Sequence, residues 1–158
     1  MSNQYLDKIQ NLPDHEKKIF LGLLEEYEES KNRKDCQEDF LCFVKQSWVA
    51  FIEGYHHTKM ADAFNRVSRG ELKRLIINMP PRHTKSEFAS YLLPAWYLGK
   101  YPDRKIIQIA HTAELAVGFG RKVRNLVGSE DFKKIFPKVA LQADSKAAGR
   151  WNTNKGGE

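Results

Sequence analysis

Apolar residues recur along this chain with two different periods, and the change from one to the other divides it. Asp14 follows Pro13 as a helix N-cap, and Ile19, Phe20, Leu23, Leu24 and Tyr27 return at helical spacing toward a charged end near Lys34. That spacing predicts an amphipathic helix. A second helix is expected over about 37–52; Phe40, Phe43, Val44, Trp48, Phe51 and Ile52 make it apolar on more than one face, so it should be buried, and Gly54 ends it. A third is expected over about 58–67, with Met60, Ala63, Phe64 and Val67 inward and Gly70 as its stop.

Beyond Gly70 the pattern shortens. Residues 72–79 read as a strand, 85–98 as a helix that Pro94 should kink or break, and 104–110 (RKIIQIA) as a second strand. Thr112 then caps a helix through about 127, and Ser129 caps a shorter one holding Phe132, Ile135 and Phe136 that Pro137 stops. The remaining LQADSKAAGRWNTNKGGE has little apolar periodicity. Strand, helix, strand, helix is the rhythm of a βαβ protein. The expected fold is therefore α/β: a partial parallel sheet of the P-loop NTPase type, flanked by helices and preceded by a helical N-terminal region. The expected organisation is helical over 1–70, the first half of an ATPase core over 71–136, and a poorly structured or incomplete segment over 137–158.

The most informative stretch is LIINMPPRHTKSE, residues 75–87. An apolar run, a tight polar turn and then Lys85-Ser86 opening a helix would aim free backbone N–H groups and the positive end of a helix dipole at one point, where phosphate can sit. Against the GxxxxGK[ST] pattern the match is partial, because Met79 and Thr84 stand where glycines would be. Holding β-branched Thr84 left-handed costs roughly 1 to 3 kcal/mol, and Pro80-Pro81 offsets part of this by stiffening the turn. His111-Thr112 lies at the same end of the second expected strand, where ligands bind in such sheets.

Charge sharpens the picture. The net charge of +6 is uneven: residues 1–40 hold six Lys/Arg against ten Asp/Glu, whereas residues 41–158 hold twenty against ten. The basic excess lies with the loop and suits a polyanionic partner, nucleotide or nucleic acid. No apolar run approaches the ~20 residues that span a bilayer, and the polar start MSNQYLDK has no signal-peptide core, so an intracellular protein without membrane attachment is expected. Cys36 and Cys42 lack metal-ligand spacing and read as core thiols.

The acids that would complete an ATPase are missing. The second expected strand ends Ala-His; Asp144 follows no buried strand, and Glu130-Asp131 opens a helix, where acids favour the dipole.

Taken together, the residues from about 40 onward resemble the N-terminal part of the ATPase domain in the large terminase subunit of tailed double-stranded DNA bacteriophages. The resemblance is carried by LIINMPPR with its basic turn and Lys85-Ser86, by Pro94-Ala95-Trp96-Tyr97-Leu98-Gly99, and by the Gly118-Phe119-Gly120-Arg121-Lys122-Val123-Arg124-Asn125-Leu126 segment. It implies a motor that hydrolyses ATP with Mg²⁺ to drive phage DNA into a procapsid, acting in the host cytoplasm and absent from the mature virion. It further implies double-stranded DNA, a portal protein, a small terminase subunit, the missing C-terminal part with its nuclease, and a homo-oligomeric ring as partners. Carried over by position, the catalytic residues are Lys85, which would neutralise the β/γ-phosphates, and Arg82, which would contact the γ-phosphate. Pro81, Arg82, His83, Thr84, Lys85, Ser86 and Glu87 would hold the nucleotide, Ser86 would ligand Mg²⁺, and Tyr55 and His57 fall where the adenine-contacting segment lies.

Two departures from the pattern, Thr84 in place of glycine and a chain that stops before the acid-bearing strand, imply a truncated or split product that binds nucleotide weakly and turns it over little. Two other readings remain open: another P-loop nucleic-acid ATPase fragment of helicase type, and a non-catalytic DNA- or protein-binding module using Arg121, Lys122 and Arg124.

Overall fold

The computed structural model describes residues 13–146 and 149–158, so the N-terminal MSNQYLDK lies outside the described residues. Two compact units are distinguished, one ending at Lys34 and one running Asp35–Glu158. Helix α1 (Asp14–Glu38), whose residues to Lys34 belong to the first unit, starts with the Lys17 N–H donating to the Pro13 carbonyl at 2.9 Å, and Asp14 and Glu16 in the first turn complement the dipole. Ile19, Leu23 and Tyr27 remain exposed.

In the second unit, Asp39 breaks what the pattern read as a continuous apolar helix. It takes an extended conformation and its Oδ1 accepts the Cys42 N–H at 2.8 Å, which caps α2 (Phe40–Ser47). Asn65 of α3 (Tyr55–Ser68) ties the two helices, donating to Asp39 at 2.7 Å and accepting from the Phe40 N–H at 2.9 Å. Cys36 and Cys42 are not free core thiols; they form a disulfide across the α1–α2 junction. Gly70, at φ 77°, ends α3 as the αL stop that its position predicts.

Phe40 sits at the centre of the core, with its ring edge-on to Phe64, Phe88 and Trp96 at centroid distances of 5.2, 5.5 and 5.6 Å. Such pairs add about 0.5–1.5 kcal/mol each beyond the area they bury. Phe88 belongs to a π-helical segment (Glu87–Leu92) that leads into α4 (Leu93–Lys100). Pro94 explains the irregularity. It has no N–H for the carbonyl four residues back and its ring crowds that carbonyl, and a wider turn relieves the conflict. The carbonyl concerned, Ser90, instead accepts from Gln108 Nε2 at 2.6 Å. Helices α5 (Ala113–Val127) and α6 (Glu130–Ile135) follow, capped by the Thr112 and Ser129 hydroxyls.

The expected α/β fold is corrected here. The chain is mostly helical and its only sheet among the described residues is a two-stranded antiparallel hairpin, β1 (Leu141–Lys146) with β2 (Trp151–Thr153), so this is not a P-loop NTPase fold. Neither 72–79 nor 104–110 forms a strand. Both keep the alternation that suggested one: Ile77, Met79 and Ile106 pack on the core, while Ile76, Ile107 and Ile109 are 85, 85 and 90% exposed. A parallel strand needs cover on both faces and a ladder at its edges, and these segments have one covered face. Among the described residues, their long-range backbone pairing is confined to Glu158, which donates to the Arg104 carbonyl at 3.1 Å and accepts from the Ile106 N–H at 2.7 Å.

The hairpin arises after Pro137, where the sequence shows little periodicity. It is anchored by Trp151, whose Nε1–H donates to the Gly120 carbonyl at 3.1 Å, and by buried Thr153, which donates to the Pro102 carbonyl. Among the described residues, no helix is long and apolar enough to cross a membrane.

Candidate functional site

Two non-glycine residues among those described have positive φ, and both lie in the turn singled out from the sequence: Arg82 at 64° and Thr84 at 59°. A left-handed residue followed by a right-handed one, as Thr84 is by helical Lys85, turns successive backbone N–H groups toward one concave side, the geometry of an anion-binding nest. Such strain costs of order 1 to 3 kcal/mol per residue and persists only where the surroundings over-determine it. Here they do. The Thr84 carbonyl accepts the Phe88 N–H at 2.9 Å, which starts the helix, and the His83 ring donates from Nδ1 to the Pro81 carbonyl at 2.9 Å.

The strongest restraint comes from α3. His57, 5% exposed, accepts the Gly54 N–H on Nδ1 at 2.9 Å, and its Nε2 lies 2.7 Å from Thr84 Oγ1. An Nδ1 that accepts carries no hydrogen, so the neutral ring bears its hydrogen on Nε2 and donates it to Thr84. The Thr84 hydroxyl then donates to the His83 carbonyl at 2.6 Å. One hydrogen per link gives the chain a single direction, from Gly54 through His57 and Thr84 to His83. Burial lowers the His57 pKa, as does the neighbouring His56, so the neutral form that this chain requires is favoured. Phe88 stacks on the ring at 5.0 Å and Phe51 meets it edge-on at 4.8 Å.

The turn curls around an open concavity of about 580 Å³ lined from Met79 to Glu87. Lys85 and Ser86 begin the helix there, with Lys85 half-buried and Ser86 exposed. Among the described residues neither Arg82 nor Lys85 is in an ion pair. Two uncompensated cations therefore flank the nest. Pro81, Arg82, His83, Thr84, Lys85 and Ser86 are thus brought together around one hollow.

The other sequence candidates lie differently. Glu87 pairs with Lys122 of α5 at 3.1 Å, a partner that no sequence spacing signalled. Tyr55 is 76% exposed, with the Lys59 amine 4.6 Å above its ring. His57 lies beneath the turn, bonded to Thr84. His111 lines a separate trough along α5, and a smaller cavity of about 150 Å³ between Pro94, Gln108 and Trp151 does not reach the turn.

No described group of three or more His, Cys, Asp or Glu side chains is placed to hold a metal ion. Mg²⁺ on a phosphate needs no such cage, since it keeps several waters and takes few protein ligands, so the Ser86 hydroxyl at the helix start fits that role. No known protein family, curated protein or solved structure matches this chain.

Proposed function

We propose that the turn from Met79 to Glu87 binds the phosphate tail of a nucleoside triphosphate with Mg²⁺. The observation that carries this reading is the pair of left-handed residues, Arg82 and Thr84, immediately before a helix that opens with Lys85 and Ser86. Backbone N–H groups of the nest and of the first helical turn would receive phosphate oxygens. Lys85 and Arg82 would balance their charge, and Ser86 would offer its hydroxyl to the metal. Held there by the Ser86 hydroxyl, Mg²⁺ would supply charge neutralisation for the phosphates.

In this reading the chain supplies a nucleotide-holding part of a phage DNA-packaging ATPase, as the resemblance implies, on a framework other than a parallel sheet. DNA, a portal protein and a small terminase subunit are its partners in that setting. Glu87, the nearest acid in sequence, is engaged by Lys122, which fits nucleotide binding with little turnover.

Titration of the whole chain with Mg-ATP tests the reading. Wild type should bind with Mg²⁺ dependence, and Lys85→Ala should lose at least about tenfold in affinity, as expected when a charge-assisted contact is removed. Binding of duplex DNA with a steep salt slope and no binding of ATP would favour the interaction-module reading instead.

A further inference from the structure

We propose that His57 is a positioning residue for this turn: its Nε2–H locks Thr84 left-handed, and the lock keeps the Thr84–Lys85–Ser86 backbone in its anion-receiving shape. The inference rests on the phosphate-site reading for its ligand, but the lock itself is independent of any ligand.

Three observations carry it. Thr84 occupies a conformation that a β-branched residue avoids, φ 59°. Its hydroxyl is held from both sides, by His57 at 2.7 Å and by the His83 carbonyl at 2.6 Å. His57 is itself fixed, since α3 begins with a reciprocal pair in which the Gly54 N–H reaches Nδ1 and the His57 N–H reaches the Gly54 carbonyl, both at 2.9 Å. The strain at Thr84 is therefore opposed by a group anchored to a different element, 27 residues away in sequence. In the phosphate-loop pattern glycine holds this position and needs no such support; a threonine does.

The pin thus explains how Thr84 replaces glycine without collapse of the turn. With the Nε2 donor removed, Thr84 relaxes toward negative φ, and the N–H groups of Lys85 and Ser86 swing away from a common point. Glycine at position 84 should make the pin unnecessary.

The test is a set of variants titrated with Mg-ATP near pH 8. His57→Phe keeps the ring contacts with Phe51 and Phe88 and removes both hydrogen bonds; Thr84→Val keeps the β-branching and removes only the hydroxyl, leaving the core untouched. Each should bind about tenfold more weakly than wild type. Thr84→Ser, which keeps the hydroxyl, should bind several-fold more tightly than Thr84→Val, and Thr84→Gly, which needs no pin, likewise. His57→Phe combined with Thr84→Gly should match Thr84→Gly alone, an outcome that general damage to the fold would not give. Wild-type affinity in Thr84→Val, or an undiminished His57→Phe loss in the glycine background, would overturn the lock.

Amide hydrogen exchange without ligand separates the two readings. If wild type binds no ATP, faster exchange in Thr84→Val at Phe88, whose N–H the Thr84 carbonyl holds at 2.9 Å, by about tenfold, still supports the lock while the phosphate reading fails. Unchanged exchange in Thr84→Val overturns the lock whatever the outcome with ATP.

Discussion

Gly99 of α4 lies directly beneath the ring of Phe136, so close that a Cβ there would stand 2.5 Å from both Cδ2 and Cε2. The ring cannot easily step aside, because Phe136 is 4% exposed and packs on Phe132 at 5.0 Å and Phe43 at 6.0 Å. Gly99→Ala gains up to about 1 kcal/mol of helix propensity and meets an overpacking cost of about 1–3 kcal/mol. A net loss of stability by urea unfolding is expected, reduced when Phe136→Leu is added. A neutral Gly99→Ala would show that the ring is free to move.

The carbonyl of Ser90 supplies a second prediction. Gln108 Nε2 donates to it at 2.6 Å, and Pro94 has no N–H to offer it. Gln108→Leu should destabilise the chain by about 0.5–1.5 kcal/mol, the net worth of a typical hydrogen bond, here at a partly buried carbonyl. In a Pro94→Ala background the same change should cost less, because an alanine N–H can reach back to the carbonyl. Equal costs in the two backgrounds, read from urea midpoints, would remove the link between Gln108 and the proline.

Gln108 also shows where sequence reasoning stopped. Helices with caps and 3.6-residue periods were legible: Ser129 and Thr112 cap as their positions suggest, and Pro94 marks a real irregularity. Residues 104–110 were legible as a half-buried extended pattern, but not as a strand. Strand formation depends on what lies alongside, and a local pattern carries no record of neighbours. For the same reason the hairpin holding Trp151 escaped, since its anchors, the Gly120 and Pro102 carbonyls, are 31 and 51 residues distant. In the turn, the strain at Thr84 was foreseeable from its β-branching, whereas the group that bears it, His57, lies on another element.

Trp96 offers a third test. It is fully buried, with its Nε1–H donating to the Cys36 carbonyl at 3.0 Å. Trp96→Phe keeps an aromatic ring but removes that hydrogen bond and leaves a partly filled cavity. A loss of about 2–4 kcal/mol is expected, combining lost contact area with the lost hydrogen bond. A loss below about 1 kcal/mol in urea unfolding would mean that the neighbouring side chains close over the smaller ring.

The buried imidazole of His57 should leave a pH signature in stability. Burial, chiefly, and then the neighbouring His56 ring at 3.8 Å lower its pKa from the ordinary 6.5, while Glu53 acts in the opposite direction. Glu53 is itself engaged by Lys45 of α2 at 2.6 Å and by Thr58 at 3.0 Å, and His83 of the turn faces His56 at 5.9 Å. A histidine whose folded pKa is depressed contributes nothing adverse above 6.5, where both states are neutral. As pH falls below that value the unfolded chain takes up a proton that the folded chain refuses, so stability declines until the folded pKa is reached. Glu53 adds a separate loss at lower pH: the Lys45 and Thr58 hydrogen bonds depress its pKa from 4.5, so its contribution is present above that value and disappears as pH falls through the folded pKa. Urea midpoints for wild type should therefore fall between about pH 7 and pH 5, and His57→Phe should flatten that slope while keeping the acid loss due to Glu53. Parallel profiles for the two proteins would mean that the imidazole titrates freely in the folded chain, and the directed chain of hydrogen bonds from Gly54 to His83 could not then be holding it neutral.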